Sequence, residues 1–316
     1  MKPFLVVAAA LIASSCANQK SNHFTSIDEL KKVLEQPKPT KLFDESSITV
    51  DRWELEGTLP TAYAEAPHEA QSAIAPAFIA AASSRGFVAS EPLACVARQT
   101  SRFRALKNGS PSDPLRFFIS ARCGVASAQV STRFLTGTVP ASVSDAELVG
   151  RWSGQLSKLA ENVPAGARAG IGWWREGDSV AITVAVLQER TELEAVKMTP
   201  DADGFVWVRG TTHHGASEIF GSANQGAAGF AECVNTQARA APSFELKCPV
   251  SKDDETAWIT IAAREKGRVL GLEIVRLLAL PSGAKGATYQ SPTLVNATAG
   301  TTPADFLSQL NEVRAK

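Results

Sequence analysis

Residues 167–189 read ARAGIGWWREGDSVAITVAVLQE, and the reading of this stretch decides the fold. Two apolar arms, 169–174 and 180–187, are rich in β-branched and aromatic residues and flank Glu176-Gly177-Asp178. That middle triplet is turn chemistry, so the stretch predicts a β-hairpin. The second arm is apolar on both faces, which predicts a strand in the middle of a sheet covered from both sides. The stretch carries no catalytic group, and the sequence as a whole discloses no molecular activity.

Working outward, helical patterns dominate before the hairpin. One helix opens at Ser90 with Pro92 in its first turn, carries Leu93, Val96, Ala97, Thr100 and Phe103 at helical spacing, and ends near Asn108-Gly109. The next opens at Ser112 with Pro114, carries Leu115, Phe118 and Ile119, and ends at Gly124. Residues 130–139 predict a strand. Ser144-Asp-Ala-Glu147 is a capping box, followed by the amphipathic stripe Leu148, Trp152, Leu156 and Leu159, with Pro164 and Gly166 closing the helix. Farther upstream, residues 48–55 predict a strand anchored by Trp53, residues 67–85 an Ala-rich helix interrupted at Pro76, and residues 26–34 a short helix.

After Glu189 the pattern changes to strands, at 193–198, 205–209, 217–220, 229–235, 243–248, 257–262 and 269–280. Seven short strands with Gly, Asp and Pro turns resemble an immunoglobulin-like sandwich. The expected fold class is therefore α+β, with an amino-terminal helical and sheet domain followed by an immunoglobulin-like β-sandwich. The expected division is 1–15 leader, 16–45 tether and short helix, 46–190 α+β domain, 191–280 sandwich, 281–302 linker and 303–316 terminal helix.

Length and composition agree with two globular domains, since the chain has 316 residues, 44% of them hydrophobic and 20% charged. Thirty-two basic residues balance thirty-two acidic ones, which argues against nucleic acid as a partner. The compartment is written in the first residues. Lys2 precedes an apolar core at 4–12, far short of a membrane span, and Ala13-Ser14-Ser15-Cys16 follows. The run into Cys16 resembles a lipobox, which implies cleavage before Cys16, its lipidation and anchoring in a membrane. Ala17 in place of Asp implies the outer membrane by resemblance to Gram-negative lipoproteins; an ordinary cleavage site, giving a secreted or periplasmic protein, is the alternative.

Four cysteines remain, an even number in an exported protein, which reads as two disulfides. Cys95 in the first turns of one helix and Cys123 in the last turn of its antiparallel neighbour predict one bridge; Cys233 and Cys248 on adjacent strand-like runs predict the other. Zinc is disfavoured by the absence of a short C-x₂₋₄-C pair. His213-His214 reads as a loop pair, Asp201-Ala-Asp-Gly204 as a tight turn without the Glu of a calcium loop, and Asp253-Asp254-Glu255 as a solvated loop. Gly170-x-Gly172 inside a strand reads as close packing rather than a dinucleotide fingerprint, and Trp173-Trp174 as core rather than a glycan platform. Ser153 and Ser222 have no evident base, and neither a catalytic residue nor a cofactor is expected.

The last residues, Phe306-Leu-Ser-Gln-Leu-Asn-Glu-Val-Arg-Ala-Lys316, resemble the opening helix of a CAP domain, the secreted cysteine-rich protein family. The resemblance implies the amino-terminal portion of a bacterial CAP-domain lipoprotein, with the CAP domain absent after its first helix. The family's histidine and acidic site would lie in that absent domain, so no site residue carries over. The expected function is a non-catalytic interaction or accessory module in the envelope, with a protein or glycan partner. Alternatives are a CAP-like hydrolase or peptidoglycan-associated enzyme lacking its catalytic part, and a glycan or small-molecule binder using the space between the two domains.

Overall fold

A computed structural model of the chain describes residues 47–63, 88–127, 129–161, 163–213, 215–225, 229–250, 256–267, 271–284 and 286–291. Cys16, the helices expected at 26–34 and 67–85, Asp253-Asp254-Glu255 and the terminal helix lie outside these residues. In the described part the chain begins with β1 (Ser47–Ile48), β2 (Arg52–Trp53), β3 (Ala62–Tyr63) and β4 (Val88–Ala89). It continues through α1 (Glu91–Lys107), β5 (Ser110–Pro111), α2 (Asp113–Arg122), β6 (Ser131–Thr138), α3 (Asp145–Glu161), β7 (Arg168–Glu176) and β8 (Ser179–Leu187). Strands follow: β9 (Thr191–Leu193), β10 (Val196–Lys197), β11 (Phe205–Thr212), β12 (Ala216–Asn224), β13 (Phe230–Glu232), β14 (Val234–Asn235), β15 (Ser243–Pro249), β16 (Ala257–Glu265), β17 (Leu272–Ala279) and β18 (Tyr289–Gln290). The architecture is a β-rich α+β fold.

The hairpin is β7–β8, and it turns at Gly177 with φ +56°. It sits inside a sheet of order β4-β7-β8-β6, so β8 has a neighbour on each side. From Val180 onward every residue of β8 is buried, because helices cover both faces. On one face Val180, Ile182, Val184 and Val186 share a cluster with Leu148, Leu156 and Leu159 of α3, and Trp152 packs at its margin. On the other face α1 lies directly on the backbone of β7. A Cβ at Gly170 would stand 2.0 Å from the Ala94 nitrogen, and one at Gly172 would stand 2.1 Å from the Arg98 nitrogen. Only glycine permits that approach, which is the close packing expected of the Gly-x-Gly pair. The Ser101 hydroxyl lies 3.1 Å from the Gly172 carbonyl and 2.9 Å from the Thr183 hydroxyl, satisfying polar groups that the contact buries.

The helix ends follow their local chemistry. Pro sits in the first turn of both α1 and α2, and α1 ends at Asn108 in the left-handed region with φ 52°. At α3 the Ser144 amide donates to the Glu147 carboxylate at 2.9 Å, and the Glu147 amide donates to the Ser144 hydroxyl at 3.3 Å, a reciprocal capping box.

Downstream, two antiparallel sheets of four strands have the orders β9-β11-β15-β14 and β13-β12-β16-β17. Burial alternates along β11 and β15, as period-2 side-chain direction requires. Val206, Val208, Leu246 and Cys248 of the first sheet share a hydrophobic cluster with Ile219, Ala223, Ile259 and Ile261 of the second. Cys233 is bonded to Cys248 and Cys95 to Cys123, the pairing read from the sequence.

Three features of the organisation cross the boundaries expected from the sequence. The sequence predicts a seam at residue 190, yet one hydrophobic cluster runs across it, joining Leu93, Phe103 and Phe118 to Val275, Leu277 and Leu278. The strands expected at 48–55 and 193–198 are each broken, and pieces of both serve this junction. β10 leaves the sheet of β9 and pairs with β3, Val196 opposite Tyr63. Residues 281–302 read as a linker, but β18 folds back onto β2, with Tyr289 opposite Trp53. Tyr289 is buried and meets Phe118 edge-on with ring centroids 5.7 Å apart. Composition misleads here: one buried aromatic among small residues holds the segment down without any apolar period.

Candidate functional site

The junction between the two halves encloses a charge. Arg122 is the last residue of α2, and its neighbour Cys123 is bonded to Cys95 of α1, which fixes where the helix ends. Arg122 is 1% exposed, the bulkiest of the fully buried side chains among the described residues. Its Nη1 donates to the Met198 sulfur at 3.2 Å, and its Nε has no partner among the described residues. A thioether is a weak acceptor, while guanidinium offers five donors and keeps its proton throughout the physiological range. Burial lowers the Arg122 pKa below the ordinary arginine value.

Arg122 lines two cavities. One, of about 440 Å³, has walls from Leu55, Gly57 and Leu59 on one side and Gly286, Ala287 and Thr288 on the other. The second, of about 250 Å³, lies toward Thr61, Met198, Thr199 and Gly283. The walls are held by specific bonds. Gln99 of α1 receives the Glu56 amide at 3.3 Å and donates to the Glu56 carbonyl at 2.6 Å, and Arg102 donates to the Glu54 carbonyl at 2.7 Å. The Met198 amide donates to the Thr61 carbonyl at 3.0 Å, and the Leu280 amide to the Met198 carbonyl at 2.6 Å.

Tyr63 supports the same junction. Its hydroxyl donates to the Leu278 carbonyl at 3.0 Å and accepts from the Leu278 amide at 2.6 Å. Burial pushes its pKa far above the ordinary phenol value, so the ring stays neutral and supplies no negative charge to Arg122. Glu54 lines the larger cavity, but its carboxylate meets the Arg52 guanidinium at 2.6 Å.

The residues weighed from the sequence lie elsewhere. His213 is exposed in the turn between β11 and β12, and His214 is outside the described residues. The Asp201 carboxylate accepts from the amides of Asp203 and Phe205, at 3.0 and 2.9 Å, and from Trp207 Nε1 at 2.9 Å. Those bonds, the Phe205 amide foremost, hold its pKa below the usual range and make it a turn brace. Trp173 packs against the α3 cluster, whereas Trp174 carries Arg98 over its ring at 5.3 Å. Ser153 donates to the Gly150 carbonyl within α3, and Ser222 lies in β12 opposite Thr260 of β16 and Glu232 of β13. Among the described residues no group of three or more His, Cys, Asp and Glu side chains converges as metal ligands would.

Sequence reading misses Arg122, although the signal is present. Leu115, Phe118, Ile119 and Arg122 follow the i, i+3, i+4, i+7 spacing of one helix face, so a cation stands on the buried stripe of α2. Comparison with known proteins finds no family model and no curated protein that matches the chain.

Proposed function

We propose that the chain is a non-catalytic binding module of the cell envelope that receives a ligand in the cleft over Arg122. The observation that carries this reading is a buried guanidinium, met among the described residues by a thioether, at the wall of a cavity of about 440 Å³. That volume lies at the small end of ligand sites, which run roughly 300–1,000 Å³. The cleft lies in the space between the two halves, where the small-molecule alternative places its ligand.

The rest of the proposal rests on sequence and strand order. Lipidation at Cys16 and outer-membrane placement rest on the leader and the run into Cys16; a relation to CAP-domain lipoproteins rests on residues 306–316. An immunoglobulin-like sandwich is supported by the order β9-β11-β15-β14 beside β13-β12-β16-β17, which reads A-B-E-D facing C′-C-F-G. Its disulfide departs from the antibody pattern, since Cys233 lies between β13 and β14 and not on the F strand.

The test uses the full mature chain and a cleft-blocking variant, Gly286→Trp. Gly286 has no described heavy atom within 4 Å of a built Cβ and no positive φ, so a side chain can leave the backbone there without a clash at its Cβ. Thermal midpoints are measured with neutral saccharides, peptidoglycan fragments and small organic anions. A ligand at about 100 times its Kd adds about 2.7 kcal/mol, which moves the midpoint of a chain this size by roughly 4 °C. At least one class is expected to raise the wild-type midpoint and not that of Gly286→Trp. Identical responses in the two proteins across all classes would remove the cleft as a binding site.

A further inference from the structure

Resting on that reading, we infer that the group received by Arg122 is an oxyanion, a carboxylate or phosphate docked against the guanidinium fork in the cleft lined by Gly57 and Gly286. A cation taken out of water is costly unless an anion and further hydrogen bonds meet it. The described protein partner of Arg122 is the uncharged Met198 sulfur, and among the described residues the Nε donor is unused. Two side chains that could supply a counter-charge are committed elsewhere. Tyr63 is neutral and bonded twice to Leu278, and the Glu54 carboxylate is paired with Arg52. Arginine is the side chain whose planar fork matches carboxylate and phosphate with two parallel bonds. The disulfide beside it fixes the end of α2, and the Gln99 and Arg102 bonds hold the wall at residues 54–56 before a ligand arrives. Glycine on both walls leaves room for a small headgroup.

The experiment compares the wild-type chain with Arg122→Met and Gly286→Trp in sodium chloride, sodium phosphate and sodium acetate or citrate at matched ionic strength. General salt effects on stability are common to all three proteins and cancel in the comparison. For the wild type, phosphate or the carboxylates raise the thermal midpoint by several degrees above chloride. Arg122→Met places an apolar side chain on an apolar stripe; it melts at or above the wild-type midpoint in chloride and loses the anion-specific rise. Gly286→Trp keeps the arginine and also loses the rise, so the assignment stays testable if Arg122→Met fails to fold. A rise with phosphate alone names a phosphate ligand and a rise with carboxylates alone names a carboxylate; a rise with both describes a site that accepts either. No rise over chloride, or a rise that persists in both variants, overturns the assignment. If a neutral saccharide then shifts the wild type and not Gly286→Trp, the binding module stands without the oxyanion. If no probe separates the proteins, both fall.

Discussion

The sheet β4-β7-β8-β6, with β8 buried at its centre, and the junction around the buried Arg122 are built in opposite ways. The sheet has strands of eight and nine residues in β6, β7 and β8, joined by a tight turn and covered by helices close in sequence. The junction is made of the two-residue strands β2, β3, β10 and β18, whose pairings β3–β10 and β2–β18 bridge segments more than a hundred residues apart. Long pairings make a stiff body whose central strand β8 is buried from Val180 onward. Short pairings between remote segments can enclose a cavity, because no single element is long enough to fill it. The difference teaches that the stiff part of this chain is its scaffold and the patchwork part is its site.

The largest effect that would break the comparison belongs to the scaffold. Gly172→Val drives side-chain atoms into the backbone of α1, where a Cβ would already lie 2.1 Å from the Arg98 nitrogen. Overpacking against backbone has no soft partner to move, so the expected cost is at least about 4 kcal/mol, seen as loss of a cooperative transition. A variant that melts within about 3 °C of wild type would mean that α1 does not bear on β7 as described.

Tyr63→Phe probes the junction and should cost less. It removes a hydroxyl that serves both the amide and the carbonyl of Leu278, and a buried group left unpaired costs about 1–3 kcal/mol. The sharper readout is local. Hydrogen exchange should quicken at residues 61–63, 196–198 and 278–280 while the amides of β7 and β8 keep their protection, since regions of different stability open separately. Equal loss of protection in both regions would erase the distinction between scaffold and junction.

The smallest effect is Ser144→Ala at the start of α3, expected to cost about 1 kcal/mol at neutral pH. The Ser144 amide, and after it the Ser144 hydroxyl, holds the Glu147 carboxyl below its usual range. A depressed folded pKa stabilises above the unfolded carboxylate value, near 4.3, and that contribution is lost as pH falls through the folded value. The gap between wild type and variant should therefore be widest at neutral pH and narrow on acidification through that window. A gap that widens in acid would contradict the capping box.

The same contrast governs how much of the molecule is legible in its sequence. The hairpin, the ends of α1 and α2, the α3 capping box and both disulfides are legible, because each is decided by residues a few positions apart or by an even count of cysteines. The strands after Glu189 are legible from their alternation. The junction is not. Its walls come from residues 54–61, 198–199 and 280–288, and nothing in a window of ten residues tells Val196 that its partner is Tyr63. Tyr289 sits in a Gly, Ser and Ala stretch whose composition reads as solvated chain, yet its ring is buried against Phe118. Arg122 stands in plain view on the α2 stripe, but a long cation at a helix end usually carries its head to water. Its burial depends on the segments that close over it.

The pairing of β18 with β2 also sets how the body carries a mechanical load. Tyr289 stands opposite Trp53 and Gln290 opposite Arg52, and the Ser291 amide donates to the Asp51 carbonyl at 2.8 Å. The strands are antiparallel, so the chain before Arg52 and the chain after Gln290 leave the pair at the same end. Tension between those flanks pulls the two strands apart like a zipper and stretches their hydrogen bonds one after another instead of all together. On the carboxy-terminal side the first bond to take that load is the one from the Ser291 amide to the Asp51 carbonyl, and residues 286–288 at the mouth of the cleft are reached only after the Gln290 and Tyr289 pairs have opened.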